Sequence, residues 1–166
     1  MAFGPAGCSL RNPLDRYRKL AVPCPVDYSF HGVIQHVDDQ VLQELGQLID
    51  EGFPSFKAYT TYGYPVGDKE LMQLLPVIKK HGGLLTVHAE SDGITKALRD
   101  AWGPQDLQPL GQAKTRPNVA EAAAVSRVLA AARACGDAPV YIVHTSAHES
   151  LDQLRLARRQ GQHHIY

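Results

Sequence analysis

Three residues able to bind a metal ion are each carried by a short apolar run. Lys57 lies in the run 55–59, His88 ends the run 84–88, and His144 ends the run 140–144. A segment with helical periodicity follows each run. In a barrel of parallel strands, side chains at the carboxyl ends of the strands converge on one face, where the active site lies. The spacing therefore predicts that the lysine and both histidines meet, and neutral imidazole is a common zinc ligand.

Each of the three residues also has an ordinary interpretation. A strand lysine can extend its amine to the surface, and a histidine can be a core residue with satisfied hydrogen bonds. All three are expected at the last apolar position of a predicted parallel strand, and this recurrence favours a shared site. Glu90 and Thr145 are expected to orient the histidines by hydrogen bonds to the ring nitrogens that do not bind metal. The lysine remains the difficulty, because an ordinary amine is cationic at neutral pH and binds metal poorly.

The elements that must position these residues alternate along the chain. Strands are predicted at 26–31, 55–59, 84–88 and 140–144, with another beginning at 163–166, and residues 1–13 and 103–117 are predicted mainly as loop. Helices are predicted at 14–20, 37–51, 68–82, 94–102, 118–134 and 148–159. Strands separated by helices imply parallel pairing with right-handed crossovers. Asp68 and Asn118 are predicted as N-caps.

The predicted fold class is α/β, a partial (β/α)₈ barrel of the triosephosphate isomerase type. A doubly wound sheet is the alternative, but it usually carries a glycine-rich phosphate loop, and neither GxGxxG nor GxxxxGK[ST] occurs here. Four strand–helix units and a fifth strand make about half to five-eighths of an eight-unit barrel. Residues 1–166 are therefore expected to be the central part of one barrel domain, truncated at both ends. The exposed edges of such a piece are a stability liability.

Composition narrows the class of protein further. Lys+Arg and Asp+Glu are both 17 in 166 residues, which argues against nucleic-acid or membrane binding driven by bulk charge. No apolar run approaches the about 20 residues that span a bilayer, and no secretion signal is visible at the start. The three cysteines have no CxxC spacing, which favours reduced thiols and a cytoplasmic location.

Four segments resemble the motifs of one enzyme family. Residues 52–62 match G-x-x-S-x-K-x-[FY]-x-x-Y, residues 85–90 resemble its VHAE strand, residues 141–146 its YxVHxS strand, and residues 115–117 its SRP or TRP. Residues 1–8 and 26–36 are most similar to the bacterial D-phenylhydantoinase branch. By these motifs the chain is identified as a member of the hydantoinase/dihydropyrimidinase group of cyclic amidohydrolases, along essentially its whole length.

The resemblance implies specific roles. Lys57 would be modified by carbon dioxide to a carbamate that bridges two divalent metal ions; zinc is the expected metal and manganese is the alternative. His88 and His144 would bind the second ion. Tyr62 would bind substrate and stabilise the oxyanion. The implied reaction opens the ring amide of hydantoins or dihydropyrimidines to N-carbamoyl amino acids, with a small cyclic amide as the partner. The full-length parent is expected to be a homo-tetramer.

Departures from the family pattern limit what this chain can do alone. No HxH occurs, and the general-base aspartate of the last strand would lie beyond Tyr166, so the chain alone is expected to be inactive. Ser91 replaces an asparagine, and Val119 replaces a glutamate, with Glu121 two positions later. Dihydroorotase or allantoinase is the alternative enzyme. A non-catalytic assembly protein related to dihydropyrimidinase is the alternative from another class, and it is disfavoured because every ligand that the span could hold is retained.

Overall fold

The structure is a computed structural model that describes residues 1–5, 7–103 and 111–166. Within these residues the strands are β1 (Gly32–Val33), β2 (Ser55–Tyr59), β3 (Leu84–His88) and β4 (Val140–Ile142). The helices are α1 (Arg11–Ala21), α2 (Asp39–Asp50), α3 (Asp68–His81), α4 (Asp92–Asp100), α5 (Gly111–Thr115), α6 (Asn118–Ala134) and α7 (His148–Arg159).

The strands form one parallel sheet in the order β1-β2-β3-β4. Two further segments extend it, because Ala2 forms a parallel bridge with Gly32 at one edge and Ile165 forms one with Val140 at the other. Every connection between neighbouring segments passes through at least one helix. Six segments thus lie side by side in chain order, and the strand predicted to begin near residue 163 is confirmed.

Helices α2, α3, α6 and α7 pack as a single row against one face of this sheet. Helix α2 contacts α3, α3 contacts α6, and α6 contacts α7. The strand residues beneath them are buried and apolar, namely Phe56, Ala58, Leu85, Val87, Val140 and Ile142. A doubly wound sheet would divide its helices between two faces. Successive strands with neighbouring helices on one side are the arrangement of a partial α/β barrel, as predicted.

Most helix and strand boundaries follow local signals. The Asp38 carboxylate accepts a hydrogen bond from Val41 N at 2.8 Å and begins α2. Helix α3 is capped by Gly82, which adopts a left-handed conformation with φ +74°. Glycine adopts this conformation without steric strain because it has no Cβ. Asp68 and Asn118 are the first residues of their helices rather than N-caps, and Gly67 and Pro117 hold the cap positions.

Two sequence predictions for the first third of the chain were wrong. Residues 26–31 alternate in polarity but form no strand, and Val26 and Tyr28 are exposed. Sheet pairing starts only where His31 O accepts from Ala2 N at 2.8 Å. Residues 1–13 are not wholly loop either, because Ala2 is fully buried in the sheet and α1 begins at Arg11. Alternation alone could not reveal which segment finds a neighbouring strand.

The loop predicted at 103–117 contains α5, and the part of that prediction at 104–110 lies outside the described residues. Among the described helices, none is both long enough and apolar enough to cross a membrane.

Candidate functional site

Lys57 projects from the sheet face opposite the helices. It is the middle residue of β2, two positions before the end, so the expectation that it ends its strand was wrong. The strand continues because Ala58 and Tyr59 pair with Val87 and His88 of β3. Lys57 and His88 therefore lie on the same face of the sheet, with Lys57 two residues closer to the amino ends of the strands. The long lysine side chain can span that distance.

His88 and His144 come together at the carboxyl ends of β3 and β4. His88 is the last residue of β3, and its Nδ1 lies 3.0 Å from His144 Nε2. His144 lies two residues beyond the end of β4 at Ile142, whose side chain faces the helices. If the strand continued, side chains would alternate between faces and His144 would also face the helices. The backbone at His144 instead has a positive φ of +41°, which ends the alternation. The left-handed backbone turns the imidazole towards His88.

The environment of Lys57 disfavours its charged form. The residue is 5% exposed, and burial lowers the pKa of its ammonium from 10.5 to about 8. Among the described residues its amine has no hydrogen-bond or ion-pair partner, and its Nζ lies 5.1 Å from the centroid of the Tyr59 ring. It lines an open cavity of about 510 Å³ with His31, Thr86 and His144. A buried amine without an acidic partner is chemically unusual.

The histidine pair fits a metal ion by its donor geometry. A tetrahedral zinc ion with bonds of about 2.0–2.1 Å holds two ligand nitrogens about 3.3 Å apart. The observed 3.0 Å between the two ring nitrogens requires a shift of only a few tenths of an ångström. In the described part of the chain, no group of three or more His, Cys, Asp or Glu side chains is arranged to hold a metal. The donor set is thus two imidazoles with Lys57 nearby.

The second nitrogen of His88 is held by Glu90. Its Nε2 lies 3.1 Å from Glu90 Oε2, and Arg116 forms an ion pair with the same oxygen. Burial lowers the pKa of His88, the Glu90 carboxylate opposes that shift, and His144 and Lys57 reinforce it. Of the two groups expected to orient the histidines, Glu90 contacts one. Thr145 does not, because its hydroxyl donates to Ile142 O at 3.3 Å.

Tyr62 lies in the loop after β2 and reaches the same place. Its ring centroid is 5.1 Å from that of His88, and the Arg116 guanidinium carbon lies 5.2 Å from the Tyr62 centroid. The side chain is 43% exposed, and the backbone has φ +74°. Among the described residues only three non-glycines have positive φ, and Tyr62 and His144 are two of them. Such backbone strain recurs at functional sites.

The structure thus brings all four predicted site residues to one region, while their chemical roles stay predictions. It also shows functions for two departures from the family pattern. Ser91 caps α4, since its hydroxyl accepts from Ile94 N at 3.5 Å. Glu121 accepts from Ser146 N and Ala147 N, both at 3.0 Å, and so holds the loop that follows His144.

Two residues of the site, Arg116 and Tyr59, were not predicted from the sequence. Arg116 joins Glu90 to Tyr62, and the only signal for it was the Thr-Arg-Pro motif. Tyr59 packs its ring against Tyr62, Tyr64 and His88 at centroid distances of 5.7–5.8 Å. Its signal was the aromatic position two residues after Lys57. Val119, which stands where a glutamate was expected, is exposed.

Comparisons with known proteins agree with the fold. No family model matches the chain. It is 43% identical over 164 residues, 98% of its length, to D-phenylhydantoinases of Escherichia coli O1:K1 and of Escherichia coli K12. A solved D-hydantoinase structure superposes with a TM-score of 0.90 at 32% identity over 96% of the chain. Dihydropyrimidinase from Brevibacillus agri gives a TM-score of 0.92 at 29% identity over 99%.

The chain spans 36% of the length of the curated relatives and 35–36% of these two solved structures. The similarity therefore covers about a third of each relative's length.

Proposed function

This chain belongs to the hydantoinase/dihydropyrimidinase group of cyclic amidohydrolases, and from that premise we propose that it supplies part of a metal-dependent hydrolytic site. The proposed reaction is hydrolysis of the ring amide of hydantoins or dihydropyrimidines to N-carbamoyl amino acids. The observation that carries the proposal is the meeting of Lys57, His88 and His144, from three neighbouring parallel strands, on the sheet face away from the helices.

Lys57 is suited to modification by carbon dioxide. The reaction needs the neutral amine, whose nitrogen forms a bond to the carbon of carbon dioxide and then loses a proton. A pKa of about 8 leaves about a tenth of the side chain neutral at pH 7, far more than for an ordinary lysine. The product is a carbamate, which replaces a cationic amine by anionic oxygen ligands. The absence of an acidic partner among the described residues leaves the amine free to react.

His88 Nδ1 and His144 Nε2 would hold one ion, and the carbamate of Lys57 would be shared with a second. Two divalent ions bound here, zinc or alternatively manganese, would lower the pKa of a water molecule and polarise the ring carbonyl. Tyr62 stands beside His88 with an exposed phenol, and its hydroxyl would donate to the oxygen that becomes negative in the transition state. Tyr62 is also the proposed contact to the substrate ring.

We propose further that these 166 residues alone do not turn over substrate. They contain no HxH pair, and two imidazoles with one carbamate leave the second ion short of ligands. A homo-tetrameric parent and a cytoplasmic location remain predictions.

The test of the site is zinc binding by the chain with and without bicarbonate. Calorimetry should show that bicarbonate strengthens binding, and native mass spectrometry should show addition of one carbon dioxide. Lys57→Met should lose the adduct and the bicarbonate effect. His144→Ala should weaken zinc binding but keep the adduct. Lys69→Met, an exposed lysine on α3, is the matched control and should behave like the wild type.

The test of the reaction is a chimera in which these residues replace the matching segment of the Escherichia coli D-phenylhydantoinase. The chimera should hydrolyse phenylhydantoin with metal and lose that activity with Lys57→Met, whereas the 166-residue chain should show no turnover above background. A folded, zinc-loaded chimera without activity would contradict the proposed reaction. Metal-dependent turnover by the 166 residues would contradict the proposed inactivity.

A further inference from the structure

One guanidinium group contacts both the carboxylate that holds the candidate metal ligand His88 and the ring of the candidate oxyanion donor Tyr62. Arg116 belongs to the short link between α5 and α6, far in sequence from both. Its side chain is only 18% exposed and is ion-paired with Glu90, whose side chain is 14% exposed. The same guanidinium lies over the Tyr62 ring at 5.2 Å. Two parts of the proposed site are therefore connected through one residue.

The Glu90 carboxylate decides which His88 nitrogen carries a proton. An ionised carboxylate can only accept hydrogen bonds, so His88 Nε2, 3.1 Å from Glu90 Oε2, must donate. A neutral imidazole with a proton on Nε2 has a bare lone pair on Nδ1. That nitrogen faces His144 Nε2 at 3.0 Å, where the metal ion would lie.

Arg116 keeps the Glu90 carboxylate in the position that this arrangement needs. Glu90 Oε2 contacts both the Arg116 guanidinium and His88 Nε2. A planar guanidinium paired with a carboxylate fixes its direction, so the oxygen stays directed at His88. The backbone of Glu90 is held separately, because Glu90 N donates to Thr60 Oγ1 at 2.9 Å. Removal of Arg116 should therefore affect the carboxylate more than the backbone.

We propose that Arg116 is a positioning residue: through Glu90 it holds His88 as the Nε2-protonated tautomer with Nδ1 directed to the metal site, and through its face it holds the Tyr62 ring beside His88. The proposal rests on the proposed function for the identity of the metal site, but the tautomer itself is a property of the metal-free chain. A merely structural arginine would anchor the 115–117 link without affecting either ring.

The experiment uses the metal-free 166-residue chain labelled with ¹⁵N. Long-range ¹H–¹⁵N correlation spectra distinguish protonated from bare ring nitrogens, with His88 assigned by comparison with His88→Gln. The wild type should show His88 protonated at Nε2. Arg116→Met should mix the two tautomers and shift the Tyr62 ring signals. Arg116→Lys restores the charge but not the planar stack, so it should restore the tautomer while Tyr62 remains shifted.

The matched control is Arg127→Met, which removes an α6 arginine whose partner is the exposed Asp68. It should leave both sets of signals unchanged. Zinc titration is the second measurement, and loss of a group that orients a ligand typically weakens metal binding by about 10–100-fold. Arg116→Met should show a loss of that size, and Arg127→Met should not.

The outcomes separate this inference from the proposed function. If zinc binds and neither the His88 tautomer nor the zinc affinity responds to Arg116→Met, the positioning role is wrong while the metal site stands. If the tautomer responds as expected but no variant or wild type binds zinc, the proposed metal site is wrong while the Arg116–Glu90–His88 coupling stands. If Arg116→Met does not fold, Arg116→Lys decides, and an unshifted Tyr62 in that variant overturns the stacking part.

Discussion

The buried amine of Lys57 should make the chain less stable than an apolar residue would. Its pKa is lowered in the folded state, so below about pH 8 folding must bury a charge that the unfolded chain keeps in water. One pKa unit corresponds to about 1.4 kcal/mol. The drop from 10.5 to about 8 therefore corresponds to a penalty of about 3 kcal/mol at pH 7.

The sign of the pH dependence follows from proton binding. Between pH 8 and 10.5 the unfolded lysine is still protonated while the folded one is largely neutral, so the unfolded state binds more protons. Stability then rises with pH. The penalty should fall from about 3 kcal/mol at pH 7 to about 2 kcal/mol at pH 9.

The perturbation is Lys57→Met, which keeps an unbranched side chain and removes the charge. Its gain at pH 7 should be about 2–3 kcal/mol, because the contact between the amine and the Tyr59 ring, worth about 0.5–1 kcal/mol, is lost as well. Urea unfolding measures the difference at pH 7, 8 and 9, in metal-free buffer purged of carbon dioxide so that no carbamate forms. Lys69→Met should change stability by less than about 0.5 kcal/mol.

Two results would contradict this prediction. A Lys57→Met variant no more stable than the wild type at pH 7 would show that the amine is not buried at a cost. A constant difference from pH 7 to pH 9 would show that its pKa is not lowered. Added bicarbonate in the presence of zinc should raise the stability of the wild type and leave Lys57→Met unchanged, since only the wild type can form the carbamate.

Two further predictions concern the support of the site. Glu121→Ala removes the hydrogen bonds that Glu121 accepts from Ser146 N and Ala147 N, and it should lower the free energy of unfolding in urea by about 1–2 kcal/mol. Glu121→Gln should lower it by less. Equal stability of Glu121→Ala and the wild type would contradict a role in holding the loop. Gly32→Ala should lower the free energy of unfolding by about 1–3 kcal/mol, because its new Cβ would lie 2.7 Å from the Phe56 ring. Gly63→Ala, with open space around it, should leave that free energy unchanged in the same urea unfolding assay.

Local sequence patterns predicted the long elements well. Helix α7 was predicted with both bounds, and β3 was predicted with His88 as its last residue. These elements depend on periodicity and on end signals such as Gly82, all of which act within a few residues. The failures at 26–31 and at Ala2 have the opposite cause. A strand exists only where another segment supplies hydrogen-bond partners, and Ala2 and His31 are 29 positions apart in the chain.

The sequence alone predicted the α/β class, most of the helices and strands in their order, the four residues proposed for the site, and the family. Only the tertiary structure decided how the site is assembled. The alternation of side chains along β4 would direct His144 to the helices. The left-handed backbone of His144 itself turns its side chain to His88 instead. Arg116 reaches Glu90 across 26 positions, and Glu121 reaches the loop after His144 across 25. Such contacts depend on how crossovers pack, which no local pattern encodes.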